Sequence, residues 1–164
     1  LRWMCSTRVD LVDKELLEKM HEAGCYSIQY GIEAGSQKIL DSIGKKITLE
    51  QIRDAASTTL GTGMEVTCSF MFPHPEDTEE TVREQQQFMK ELRKMGVIET
   101  LSATTPFPGT YYYEHADELG IKILPDSWDE YDCKHLIITT KYLSKEKLNS
   151  LIKELTQDVG LVEV

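Results

Sequence analysis

Six polar side chains stand at or near the ends of apolar runs in this 164-residue sequence: Arg8, Glu33, Ser36, Lys45, Ser69 and Thr105. Glu33 closes the run "CYSIQYGI" and is followed, after Ala34, by Gly35 and Ser36. A carboxylate there can accept hydrogen bonds from ribose-type hydroxyls, while backbone N–H groups at the start of the next helix face an anionic group. The same placement also serves the helix dipole alone. Lys45, or its neighbour Lys46, follows Gly44 and can carry a fixed positive charge to a carboxylate; Arg8 can do so with two parallel bonds. For each cation, a solvated surface position is the commoner alternative. Thr104 and Thr105 add hydroxyls after the run "VIETLSA". His74, between two prolines, is a lone imidazole suited to ordering its loop or facing a substrate rather than to holding a metal.

These residues need a scaffold that brings scattered run ends together, and the periodicity supplies one. "RWMCST" reads as a strand, with helix period from Val12 through Leu16, Leu17 and Met20 to a stop at Gly24. "CYSIQYGI" is the next strand, followed by a short helix that Ser36 can cap and Gly44 closes. A second helix in this crossover starts at Thr48, with Gln51 at capping-box spacing. "MEVTCSFMF" is a buried strand, and Asp77 or Thr78 opens a helix carrying Val82, Gln85, Phe88, Met89, Leu92 and Met95 up to Gly96. "VIETLSATT" is a fourth strand, running into the stiff turn "PFPGT" and a short helix near Tyr113–Leu119. "HLIITT" is a candidate strand, and a last helix starts at Ser144. Alternating strand and helix implies an α/β fold of parallel strands joined by crossovers, with ligands at the carboxyl ends of the strands.

Composition narrows the partners. Eighteen Lys and Arg against 28 Asp and Glu give a formal charge of -10, which disfavours nucleic acid and anionic membranes. No apolar run approaches the roughly 20 residues of a membrane span, and no basic-then-apolar leader opens the chain, so a cytoplasmic protein is expected. Cys5, Cys25, Cys68 and Cys133 are scattered in or near candidate strands, the pattern of buried reduced thiols, and no CxxC, CxxxC or CxxH pair offers a metal site. The acidic run "EDTEETVREQQQ" is read as helix capping. The rings of Tyr111, Tyr112, Tyr113 and Trp128 line a planar ligand or pack beneath a loop. The chain opens on Leu1 inside what reads as a strand, and is expected to be a fragment.

Four stretches together, "RWMCSTRVDLVDKELLEKMHEAGC", "IQYGIEAGSQKILDSIGKKIT", "CSFMFPHPEDTEET" and "TTPFPGTYYYEHADELGI", resemble the later part of a radical S-adenosylmethionine (SAM) enzyme domain. The resemblance is to the subgroup often joined to a cobalamin-binding domain, which includes anaerobic magnesium-protoporphyrin monomethyl ester cyclases and related iron-sulfur oxidoreductases. It implies a partial (βα)6 barrel, of which residues 1–131 would hold strands three to six, with 132–164 as a strand and helix extension packed on it. In the family a CxxxCxxC loop holds a [4Fe-4S] cluster and SAM chelates its remaining iron; that loop is absent here. The resemblance implies that Glu33 meets the cofactor ribose, Lys45 its carboxylate, and that Ser69 lies nearby; Arg8, Ser36 and Thr105 complete the cofactor-facing set. One departure is clear: where the family commonly has Gly-x-Pro-Gly-Glu-Thr, this chain has Pro73-His74-Pro75-Glu76-Asp77-Thr78.

The expectation is therefore a fragment of a radical SAM oxidoreductase or related radical transferase. SAM and a [4Fe-4S] cluster belong to the parent protein, cobalamin to an upstream domain, and none is expected on this chain alone, which should be catalytically silent. The substrate is a small molecule, with a tetrapyrrole suggested by the cyclases. The open edge at "RWMCST" should pair with the earlier half of the same barrel or, in a truncated chain, with a second copy. The competing class is a non-catalytic βα-repeat binding module in which Glu33 and Arg8 are scaffold charges. Carboxylate acid-base chemistry in another βα-barrel needs two facing carboxylates, and only Glu33 is well placed.

Overall fold

A computed structural model describes residues 1–125 and 127–157. Four strands, β1 (Trp3–Thr7), β2 (Cys25–Glu33), β3 (Glu65–Phe72) and β4 (Ile98–Ala103), form one sheet in the order β1-β2-β3-β4, every neighbouring pair parallel. Between them run α1 (Lys14–Glu22), α2 (Gln37–Ser42), α3 (Leu49–Gly61) and α4 (Glu79–Lys94). After β4 come the single turns α5 (Tyr111–Glu114) and α6 (Ala116–Leu119), a two-residue antiparallel pairing of β5 (Lys122–Ile123) with β6 (Ile138–Thr139), and α7 (Lys145–Gln157). The last seven residues of the expected 132–164 extension lie outside the described residues.

Strand alternation separates the faces of the sheet. Ile28, Tyr30 and Ile32 of β2 and Val66, Cys68, Phe70 and Phe72 of β3 are buried in one core with Leu17, Ile52, Val82, Phe88, Met89 and Leu92 from the helices. The Tyr30 hydroxyl meets Thr59 of α3 at 2.7 Å, so the one polar atom this ring carries inward has a partner. The opposite face holds Gln29, Ser69 and Thr100, half-exposed and bonded to one another: Gln29 Nε2 donates to Ser69 Oγ at 2.5 Å and Thr100 Oγ1 lies 3.2 Å from it. One apolar face under helices and one polar face, with β1 and β4 as the two edges, is a barrel wall. Leu143, Leu148, Leu151 and Leu155 bring α7 into the same core against α4.

The helix starts follow capping chemistry. Thr48 and Gln51 form both bonds of a capping box, and Thr78, rather than Asp77, caps α4 by accepting from the Thr81 N–H. Three expectations change. The first helix begins at Lys14 on an Asp13 cap, so Val12 lies outside it; Leu16 is 43% exposed and Leu17 is its buried residue. Cys133 is exposed, unlike Cys25 and Cys68, because it lies in the loop before β6 rather than in a strand. "HLIITT" shortens to Ile138–Thr139, held only by the equally short β5.

Candidate functional site

The carboxyl ends of four parallel strands share one rim, and the end of β2 is built unusually. Gly31 pairs with Ser69 and Glu33 with Phe70, so Ile32 is an extra residue in the ladder, a bulge that re-aims the side chain beyond it. Glu33 then takes φ +68°, and the Ala34 N–H donates back to the Ile32 carbonyl at 2.9 Å. This is the positive-φ form of the γ-turn, rare and strained for a residue with a side chain. Its effect is to hold the Glu33 carboxylate out on the rim, three-quarters shielded from solvent.

Lys45 meets it there. Its Nζ donates to Glu33 Oε1 at 2.7 Å, with the two side chains 17% and 24% exposed. Gly31 makes room: a Cβ at this position would stand 3.1 Å from Glu33 Oε1 and 3.7 Å from Lys45 Nζ. The loop carrying Lys45 is tied at both ends. Gly44 takes φ +66° and the Lys45 N–H donates to the Leu40 carbonyl, while Arg8 Nη2 donates to the Lys45 carbonyl at 3.1 Å. Arg8 itself is gripped by Asp10 through two bonds of 2.9 and 3.0 Å, and the hydrogen-bonded guanidinium holds Asp10 below the usual carboxylate range. The expected Arg8, Glu33 and Lys45 thus form one continuous chain of contacts from β1 through the α2–α3 loop to β2.

The other expected residues are placed differently. Ser36 is fully buried; its hydroxyl donates to Glu84 of α4 at 2.5 Å and makes no capping bond to α2. Ser69 lies on the polar face within the Gln29–Ser69–Thr100 set. Thr105 Oγ1 turns back to the Ala103 carbonyl at 3.2 Å. The aromatic residues divide: Tyr112 goes inward, Tyr111 stacks on His115 with centroids 4.3 Å apart, and Trp128 packs against Tyr131 at 4.8 Å. Trp128, Tyr131 and Tyr113 line an open groove of about 340 Å³ with Ile123 and Pro125, separate from the Glu33–Lys45 pair.

Beneath the rim sits a buried polar cluster that pattern reasoning treated as a loop. After a cis Phe72–Pro73 peptide, the His74 N–H donates to Asp77 Oδ2 at 2.7 Å, Thr81 Oγ1 donates to Asp77 Oδ1 at 2.8 Å, and His74 Nδ1 lies 3.1 Å from the Tyr112 hydroxyl. Burial lowers the His74 pKa, raises that of Asp77, and raises that of Tyr112, with the Asp77 and Glu33 charges adding to the last. Glu76, standing where the family commonly has glycine, reaches Lys141 at 2.8 Å. The polar residue inside the apolar run "SIQY" and the acid two places after Arg8 were the available signals for Gln29 and Asp10. Among the described residues no group of three His, Cys, Asp or Glu is placed to hold a metal ion, and no helix is long and apolar enough to cross a membrane.

Residues 1–89 match the model of the radical SAM superfamily. An uncharacterized methyltransferase of Pyrococcus horikoshii is 30% identical over 154 residues, covering 94% of this chain and 33% of that protein. The bacteriochlorophyllide d C-12(1)-methyltransferase of Chlorobaculum tepidum is 28% identical, over 97% of this chain and 34% of that protein. The anaerobic magnesium-protoporphyrin IX monomethyl ester cyclase of Rubrivivax gelatinosus is 26% identical, over 79% and 23%. The chain spans about a third of the length of the two methyltransferases. Its fold is shared with coproporphyrinogen III oxidase of Escherichia coli, a radical SAM enzyme (TM-score 0.68, 9% identity, 96% of this chain and 31% of that one). It is shared also with a radical SAM methyltransferase of Kitasatospora setae solved with cobalamin and a [4Fe-4S] cluster (TM-score 0.64, 19% identity, 77% and 27%).

Proposed function

This chain belongs to the radical SAM superfamily, and from that premise we propose that it is the cofactor-positioning part of a longer enzyme's barrel, residues 1–131, with 132–164 as an extension. The observation that carries the proposal is the Glu33–Lys45 pair, held at 2.7 Å on the strand-end rim by a bulge, a γ-turn and an anchored loop. A carboxylate and an ammonium side by side suit SAM: Glu33 accepts from the ribose hydroxyls and Lys45 donates to the methionyl carboxylate. Arg8 holds the Lys45 loop, and the hydroxyls on the polar face border the space inside the barrel.

The residues of this chain fit SAM but not the cluster. The sequence contains no CxxxCxxC loop, so the thiolates that hold the iron come from elsewhere in the enzyme. When bound, cluster and SAM supply a 5′-deoxyadenosyl radical for hydrogen abstraction; this chain's share is to orient the cofactor and, with the rest of the barrel, to keep water out. On this account the chain by itself turns over no SAM, and the longer enzyme works in the cytoplasm on a small molecule.

Two reaction classes stand beside each other. An oxidoreductase follows from the cyclase likeness, while methyl transfer is favoured by the names of two relatives matching more than nine-tenths of this chain. A tetrapyrrole is the substrate class common to the named bacteriochlorophyllide methyltransferase and the cyclase.

The test uses the full-length protein, reconstituted anaerobically with iron and sulfide. It is expected to cleave SAM to 5′-deoxyadenosine with a reductant, and Glu33→Gln is expected to weaken S-adenosylhomocysteine binding roughly tenfold, the worth of a charge-assisted hydrogen bond. Unchanged affinity in Glu33→Gln removes Glu33 from the cofactor site. No cleavage and no cluster would leave a βα-repeat binding module as the better account.

A further inference from the structure

The His74 imidazole is 2% exposed and its Nε2, fully buried, has no hydrogen-bond partner among the described residues. Buried polar atoms are ordinarily paired, so an orphan in a well-packed loop asks what it faces. Burial works against a positive charge on this ring; the Asp77 charge, then the backbone and the carboxylate of Glu33, work in its favour, which puts Glu33 beside the ring although Nε2 completes no hydrogen bond. The other ring nitrogen lies 3.1 Å from the Tyr112 hydroxyl, and Asp77 grips the loop from below. Three strand ends therefore converge on one ring: Glu33 after β2, His74 after β3, and Tyr112 on α5 after β4.

We propose that His74 is a positioning residue for Glu33: with Tyr112 donating to Nδ1, the ring presents Nε2–H to the Glu33 turn and steadies the carboxylate that Lys45 meets from the other side. This inference rests on the reading of Glu33 as a cofactor contact.

The Tyr112 hydroxyl can either donate to Nδ1 or accept from it; in the proposed arrangement it donates, which leaves the ring proton on Nε2. The Glu33 turn needs such support, because a positive-φ residue persists only where its surroundings over-determine it. Lys45 constrains the end of the side chain, the pairing of Glu33 with Phe70 holds the backbone on the β3 side, and the Gly35 N–H donates to Gln85 Oε1 just beyond the turn. His74 would add a contact to the turn from the loop after β3.

A double-mutant cycle tests this in the full-length, anaerobically reconstituted protein, with S-adenosylhomocysteine affinity read by calorimetry and with cluster content and melting temperature recorded for each variant. His74→Phe keeps a buried ring without the nitrogens and is expected to weaken binding about tenfold. His74→Gln, whose amide can place an N–H near the Nε2 position, should stay within about threefold of the native protein. In the Glu33→Gln background, His74→Phe should cost less than about twofold, because a residue acting through Glu33 has little left to act on.

Native-like affinity in His74→Phe, beside weakened affinity in Glu33→Gln, overturns the inference alone. An equal loss from His74→Phe in both backgrounds also overturns it, since it marks a general packing role. Should Glu33→Gln itself bind like the native protein, the cofactor reading of Glu33 falls and this inference with it. If His74→Phe does not fold, Tyr112→Phe decides: a severalfold loss that vanishes in the Glu33→Gln background is expected, and native affinity overturns.

Discussion

Adding one methyl group at Gly35 should destabilise the fold by driving the β2–α2 connection and α4 apart. An ideal Cβ at this position would lie 2.8 Å from Gln85 Cα, 3.1 Å from Phe88 Cβ and 3.2 Å from the Gln85 carbonyl oxygen. Carbon atoms pack best at about 3.5 to 4.0 Å, so relief requires a displacement of roughly 0.7 Å or more. The nearest obstacle is backbone, and α4 is fixed by the buried Val82, Phe88, Met89 and Leu92. Overpacking of this kind costs about 1 to 3 kcal/mol. Gly35 does not have a positive φ, so alanine fits the backbone and restricts the unfolded chain, which offsets about 0.4 to 1 kcal/mol. The net loss for Gly35→Ala is about 1 to 2 kcal/mol, a fall in melting temperature of about 2 to 8 °C for a chain of this size. Thermal unfolding followed by circular dichroism measures it, with Gly61→Ala as the contrast. Gly61 ends α3 with nothing within 4 Å of a Cβ, and alanine there should be neutral or stabilising by up to about 1 kcal/mol. A Gly35→Ala protein that melts at or above the native temperature would refute the steric account of why a glycine stands there.

Arg93→Leu should destabilise the protein more at neutral than at mildly acid pH. Arg93 donates two bonds to Glu99 Oε2, at 2.9 and 2.7 Å, and the Glu99 side chain is only 2% exposed. Burial already raises the Glu99 pKa, so its contribution is fully present below the unfolded value and is lost as pH rises through the folded one. Without Arg93 the folded value climbs further, so unfolding free energies from urea titrations should fall by about 1 to 3 kcal/mol near pH 7 and by clearly less near pH 5; equal losses at both would contradict the assignment. Brief alkylation of the native protein followed by mass spectrometry should label Cys133 first and leave Cys68 untouched until unfolding. Cys133 is exposed, whereas burial pushes the Cys68 thiol up to about 12; early labelling of Cys68 would be inconsistent with the core described.

The elements legible in the sequence were those whose signals are local. The Thr48–Gln51 box is complete within four residues, and β2 and β3 carry aromatic and β-branched residues in runs of 9 and 8 residues, the length and composition of buried strands. Leu16 failed because its spacing to Val12 was read as helical, whereas the helix starts at Lys14 on the Asp13 cap and packs on Leu17. Glu33 and Lys45 were each expected at the cofactor-facing rim, but neither their direct pairing nor its construction was. A bulge at Ile32 and a γ-turn at Glu33 depend on strand register, which no stretch of β2 records by itself. Ser36 illustrates the same limit: its type and position suit a cap, yet Glu84, 48 residues away, takes its hydroxyl. His74 was noticed only for its prolines, since Tyr112 lies 38 residues further on.

The strand order has a consequence for how the chain is assembled. Each strand pairs only with the strands immediately before and after it in sequence, so no pairing waits for a distant segment. A chain emerging from the ribosome can therefore add one βα unit at a time to the edge already formed, much as a wall is laid course by course. The exception is α7, which returns to α4 through Leu148, Leu151 and Leu155 and the Lys147–Glu79 pair at 2.9 Å. Until it arrives, the part of α4 against which α7 packs stays open to solvent, so this contact forms last.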